Sequence, residues 1–206
     1  MHFDLVELIK AFGYFGVFTI VFLESGLLIG FFFPGDSLLF TAGFLASQGF
    51  LDINILIFGC FIFAVLGDSI GYYIGKSLGP KIFTKEDSIF FQKKHLERAQ
   101  KFYDKHGGKT IILARFMPVI RAFAPVVAGA GQMNYKRFVT FNLIGGILWA
   151  IGVTLSGYYL GSLIPNVDKY LLPIVALIII ASVLPGLHHI LVDAEIRASI
   201  AKRFKR

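Results

Sequence analysis

ESGLLIGFFFPGDSLLF, Glu24 to Phe40, sets two carboxylates, Glu24 and Asp36, on either side of a break at Pro34 and Gly35 inside an almost unbroken apolar run. A carboxylate at the centre of a membrane-inserted helix costs about 2.5–3.5 kcal/mol on insertion scales, and more without a partner. Further along, RFMPVIRAFAP, Arg115 to Pro125, supplies two arginines, Arg115 and Arg121, around a second pair of prolines, Pro118 and Pro125. The two stretches read as facing halves of one buried polar site, with the rest of the chain as its scaffold.

The chain of 206 residues is 56% hydrophobic, with 23 Phe and only 16% charged residues. With a mean hydropathy of +0.72, its apolar surface exceeds what a soluble domain of this size can bury. The expected class is an all-α polytopic membrane protein forming one integral membrane domain. Apolar stretches lie at 12–33, 37–50, 53–75, 110–133, 138–164 and 170–192, and most are long enough to cross ~30 Å of hydrocarbon. The piece 37–50 is too short. A cleavable signal peptide is not expected, because the first apolar run follows the mixed segment with Asp4, Glu7 and Lys10 and itself holds Glu24.

Cys60 is the single cysteine, which excludes an intrachain disulfide and any multi-cysteine metal site. No metal or cofactor is expected. The formal charge of +7 is no nucleic-acid footprint, since it sits in two flanks: 80–109, with seven Lys and one Arg against four acids, and 193–206, with five bases against two acids. By the positive-inside rule the central loop and the C-terminus are cytoplasmic, and both are expected to lie against anionic lipid headgroups.

In order, residues 3–11 read as a short interfacial helix leading into 12–33. The run FFFPGD then breaks, because proline lacks the N–H and glycine permits turn dihedrals. Residues 12–50 therefore form a re-entrant, broken-helix hairpin, with Pro34 to Asp36 away from lipid. Residues 53–79 span, and the glycines at 67, 71, 75 and 79 share one face that lets another helix approach closely. Such faces allow a homodimer without requiring one. Asp68 adjoins that face, as a carboxylate near the helix end that caps it or pairs with a neighbour. The loop 80–109 contains an amphipathic surface helix, 92–106. His95 and His106 read as solvated residues without partners at ligand spacing. Residues 110–133, interrupted at Pro118 and Pro125, read as a second re-entrant hairpin. Residues 138–164, with Trp149, and 170–192 then span, and His188 and His189 sit near the end of the last helix.

GYYIG at 71–75 recurs as GYYLG at 157–161, and at the same offset Gly43 falls on Gly129. A different offset earlier in the chain aligns Glu24 with Arg115. Each half reads hairpin then spanning helix, an odd number of crossings, so the second copy is an inverted repeat of the first. Interrupted segments in corresponding positions of two halves point to a transporter's midplane site. This parity puts the N-terminus outside, whereas a fully spanning 12–33 puts it inside.

The first copy contributes acids, Glu24 and Asp36, and the second bases, Arg115 and Arg121, so that the four sum to zero charge. Structural salt bridges alone are the plain alternative, but apolar residues would serve folding as well or better, and ionisable residues inside a membrane are functional by default. The planar guanidinium also suits bidentate binding of phosphate or carboxylate. An incoming anionic headgroup would displace the carboxylates from the arginines, and the freed Glu24 or Asp36 would take up a proton, coupling anion movement to protons.

Glu24 with FFFPGD, GDSIGYYIG, and FMPVIRAFAP preceded by Arg115 resemble, in that order, the motifs of the DedA family, also called the SNARE-associated or VTT-domain family of bacterial inner-membrane proteins. The resemblance covers residues 12–165. It implies two re-entrant hairpins and transport of a lipid, undecaprenyl phosphate, across the cytoplasmic membrane in dependence on the proton motive force. The family's functional acids fall on Glu24 and Asp36, the latter a Glu in many members, and its arginines on Arg115 and Arg121. Pro34, Gly35, Gly67, Asp68, Gly71, Pro118 and Pro125 are the expected supporting residues. The competing reading is a proton-coupled ion or small-solute antiporter using the same carboxylates. An enzyme such as a lipid phosphatase would need an activated nucleophile or a histidine pair beside the arginines, and the buried set has no His.

Overall fold

The computed structural model describes residues 5–27, 35–82 and 107–163, and all its regular elements there are helical. Pro34, the surface helix 92–106 with His95 and His106, the last span 170–192 with His188 and His189, and the basic tail lie outside the described residues. Six helices run in order: α1 Leu5–Gly26, α2 Gly35–Ser47, α3 Ile53–Ile82, α4 Lys109–Ala114, α5 Pro118–Ala130 and α6 Tyr135–Leu163. Ile53–Leu78 of α3 and Tyr135–Leu163 of α6, with 26 and 29 residues, are long and apolar enough to cross a membrane. At 1.5 Å per residue each exceeds the ~30 Å hydrocarbon core.

Local chemistry explains the boundaries. Gly13 sits inside α1 at φ 54 and ψ −141, a conformation essentially reserved for glycine, so the segment before it is set off from the apolar Phe12–Gly26 stretch. Asp52 caps α3: its Oδ1 accepts the Asn54 and Ile55 N–H groups at 2.8 and 3.2 Å. Asn134 does the same for α6, accepting from the Lys136 and Arg137 N–H groups at 2.9 and 3.4 Å. Such caps satisfy donors that have no partner within the helix. The chain turns at Arg115–Met117, where extended Met117 precedes Pro118 at the start of α5. Pro118 is tolerated there because the first turn needs no N–H donor.

Two expectations change. Pro125 does not interrupt the second segment: it lies within α5, which continues to Ala130. The single break falls ahead of Pro118, where the backbone was already turning. Asp68 is not near a helix end either, because α3 runs on to Ile82, and its side chain is buried against other helices.

Packing follows the small residues. Where α2 crosses α6, the Gly43 position meets the main chain of Thr154 and the Gly157 position that of Phe40. Where α5 crosses α3, Gly129 meets the main chain of Tyr72 and Gly75 that of Val126. A β-carbon at any of these four would collide with backbone that cannot swing aside. Gly67 lies against Phe22 and Gly26 of α1, and Gly71 against Gly26 and Pro125, so the glycine face of α3 receives two helices. In a bilayer such close approach, rather than withdrawal of apolar surface from water, supplies the association energy. A buried cluster including Val17, Val21, Leu38, Leu39, Leu56, Cys60 and Trp149 joins α1, α2, α3 and α6. A second cluster, around Tyr72, Ile111, Ala128 and Phe138, joins α3 to α4, α5 and α6.

Candidate functional site

Every described helix or its flanking turn points a polar group into one buried network. Glu24 comes from the last turn of α1, Asp36 from the first turn of α2 and Asp68 from the middle of α3. Arg115 lies on the turn after α4 and Arg121 on α5, and α6 adds Asn142 and Trp149. Glu24 is 1% exposed and Arg115 4%. The Asp36 side chain, at 25%, is the accessible member of the set.

Arg121 grips the two acids that flank the first break. Its Nη2 donates to Glu24 Oε1 and its Nη1 to Asp36 Oδ1, the latter at 2.8 Å. Asp36 Oδ1 also accepts the Trp149 indole N–H at 2.6 Å. The Trp149 ring in turn faces both guanidinium groups, with Arg121 Cζ 4.9 Å and Arg115 Cζ 5.8 Å from its centroid. Those are cation–π distances, and the interaction is strongest with tryptophan. A π-helical turn, Ile147–Ile151, carries this indole; such turns re-aim side chains and recur at functional sites.

Arg115 has a different set of partners. Its Nη2 donates to Asp68 Oδ2 and to Asn142 Oδ1, the latter at 2.5 Å. The Asn142 amide is oriented by its own donation to the Val65 carbonyl at 3.2 Å, which turns its oxygen toward the arginine. Sequence alignment of the two halves set Glu24 against Arg115; in the fold Glu24 pairs with Arg121. The expected balance of two acids and two bases is also incomplete, because Asp68 makes three carboxylates against two guanidiniums. The reason is the register of α3, which turns Asp68 inward toward α4 and α6.

Gly35 sets the tightness of the first pair. A β-carbon there would fall on the Glu24 carboxylate, so only glycine lets the start of α2 close over the end of α1. Three ionisable atoms in the network remain buried without a hydrogen bond: Glu24 Oε2, Arg115 Nε and Arg121 Nε. Buried charge left with spare donor and acceptor capacity is costly, and that capacity is what an exchanging ligand or proton would use. Among the described residues no group of three His, Cys, Asp or Glu is placed to hold a metal ion.

The sequence reasoning missed Asn142 and Trp149 as site residues. The signal was present, since Asn142 is the sole side-chain amide in 138–164 and Trp149 the sole tryptophan of the chain. A lone polar group in a span needs a partner inside the protein.

Known proteins resemble the chain over most of its length. The VTT domain description matches residues 33–159. Protein DedA of Escherichia coli (strain K12) is 43% identical over 209 residues, covering 98% of this chain and 95% of that protein. An uncharacterized membrane protein of Mycobacterium leprae (strain TN) is 48% identical over 169 residues, 82% of this chain and 75% of its own length. Inner membrane protein YghB of Escherichia coli (strain K12) is 38% identical over 157 residues, 76% of this chain and 71% of that protein. No solved structure matches the chain at a significant level.

Proposed function

The chain belongs to the DedA family of VTT-domain membrane proteins, and from that premise we propose that it moves an anionic lipid, undecaprenyl phosphate, across the bacterial inner membrane in dependence on the proton motive force. One observation carries the reading: two buried guanidiniums face a single indole ring, and each retains an unpartnered Nε. Arginine stays charged in low dielectric and presents a planar fork that matches phosphate oxygens. In the ligand-free state Arg121 is held by Glu24 and Asp36. A lipid phosphate competes for it, and a proton taken up by a freed carboxylate limits the negative charge held in the membrane.

The same proposal includes the architecture. Residues 12–50 and 110–133 form re-entrant hairpins, and the two halves are inverted repeats. The crossings support this, because Phe40 and Val126, and likewise Gly43 and Gly129, which meet α6 and α3 respectively, stand at the offset that relates GYYIG to GYYLG. The basic loop 80–109 and the C-terminus lie on the cytoplasmic side.

The test is binding of undecaprenyl phosphate to detergent-purified protein by native mass spectrometry, with phosphatidylglycerol as competitor. Selective binding that is lost in Arg115→Ala and in Arg121→Ala is expected. Equal, weak binding of both lipids to all three proteins would remove the lipid reading. The third carboxylate favours one other function, a proton-coupled antiporter for a cation or small solute, since three acids against two arginines leave a net negative site. Cation-driven proton flux in vesicles free of polyprenyl phosphate would select it.

A further inference from the structure

The two acids that share Arg121 sit in unlike surroundings, and the indole of Trp149 is part of the difference. We propose that Trp149 is a positioning residue that holds the Asp36 carboxylate in place when Arg121 is drawn away, so that Glu24 is the group that takes up the proton. Its role in transport rests on the reading of Arg121 as an anion ligand. The division between the acids does not.

Asp36 would lose one of two donors if Arg121 left. The Trp149 N–H, at 2.6 Å from the same Oδ1, would remain. A hydrogen bond to the charged form favours that form. The side chain is 25% exposed, and the residue lies in the first turn of α2, where the helix end favours an anion.

Glu24 is placed differently. It is 1% exposed, and among the described residues Arg121 supplies its sole side-chain hydrogen bond and Oε2 has none. It sits in the last turn of α1, the helix end that disfavours an anion. The charged groups facing it are Arg121 from α5, Asp36 from α2 and Asp68 from α3, so two of its three charged neighbours repel its ionised form. The Gly35 main chain from α2 also faces it. That helix start serves both acids and does not separate them. Once Arg121 leaves, a proton from the aqueous side bonds to Glu24, with Oε2 open to receive it.

Infrared spectroscopy of the full chain in lipid tests this without any ligand, using Arg121→Gln to remove the guanidinium. A protonated-carboxyl band at neutral pH is expected, abolished by adding Glu24→Gln and retained on adding Asp36→Asn. Adding Trp149→Phe, which keeps the ring and removes the N–H, should give a second band that Asp36→Asn abolishes, a change that loss of packing alone would not produce. A band that vanishes with Asp36→Asn while Trp149 is intact, or no effect of Trp149→Phe, would overturn the proposal. If Arg121→Gln does not fold, the wild-type chain titrated downward in pH gives the same comparison, the first site carboxyl band to appear being that of Glu24. Farnesyl phosphate added to the wild-type protein then addresses the transport reading separately. Binding with uptake of about one proton, absent in Glu24→Gln, supports both. Failure to bind removes the lipid reading and leaves the infrared result standing.

Discussion

Arg121 and Arg115 differ in what their loss would strand. Arg121→Ala leaves two carboxylates, Glu24 and Asp36, facing each other, whereas Arg115→Ala strands one, Asp68, together with the Asn142 side-chain oxygen. Removing one partner of a buried ion pair costs about 3–5 kcal/mol, so both variants should unfold earlier than wild type in detergent, Arg121→Ala the more so. Adding Glu24→Gln to Arg121→Ala should recover part of that loss without recovering transport; a double variant no more stable than Arg121→Ala would mean that Glu24 is not the stranded charge. Gly35→Ala should behave like loss of the Glu24–Arg121 pair, since its β-carbon takes the place of the carboxylate; transport at the wild-type rate would show that the start of α2 can retreat. Glu24, Asp36, Arg115 and Arg121 were legible as one site because charge in an apolar run demands a partner. Their pairing was not, because it depends on helix rotation. Half a turn of helix rotation decides whether Asp68 faces lipid or Arg115, and no residue count reveals that.

At the scale of the elements, the two crossings rest on glycine against backbone. Gly43→Leu at α2–α6 or Gly129→Leu at α5–α3 must push whole helices apart, because the obstructing atoms belong to the Thr154 and Tyr72 main chains. Overpacking of a core commonly costs about 1–3 kcal/mol, and these sites should lie at or above that, read as a lowered unfolding midpoint with reduced transport. Midpoints unchanged from wild type would mean that the helices slide rather than separate. The spans over 53–79 and 138–164 were readable from length and hydropathy, whereas the start of α6 at Tyr135, set by the Asn134 cap, was not. Pro125 misled because a proline's effect depends on what surrounds it. Seven residues into α5, its missing N–H and its ring are accommodated, and the helix continues.

For the whole molecule, the proposed inverted arrangement predicts that the turns following α2 and α5 open on opposite sides of the membrane. In a Cys60→Ala background, Gln48→Cys should label with an impermeant reagent from the outside and Gln132→Cys only from the cytoplasmic side. Labelling of both from one face would contradict the inverted repeat and leave the local site geometry untouched. The class of the molecule was legible from composition alone. How its halves interlock was not, since helix α2 of the first half lies on α6 of the second while α5 of the second lies on α3 of the first.

That interlocking has a consequence for how the protein is made. Glu24 and its partner Arg121 are separated by 97 positions, and at roughly 5–20 residues per second a ribosome takes about 5–20 s to bridge that gap. Throughout that interval the first helix carries an acid whose counter-charge has not yet been synthesised. The nascent chain must therefore keep Glu24 neutral, or sheltered by the insertion machinery, until α5 arrives. A chain ending ahead of Arg121 would carry Glu24 into the bilayer without its counter-charge.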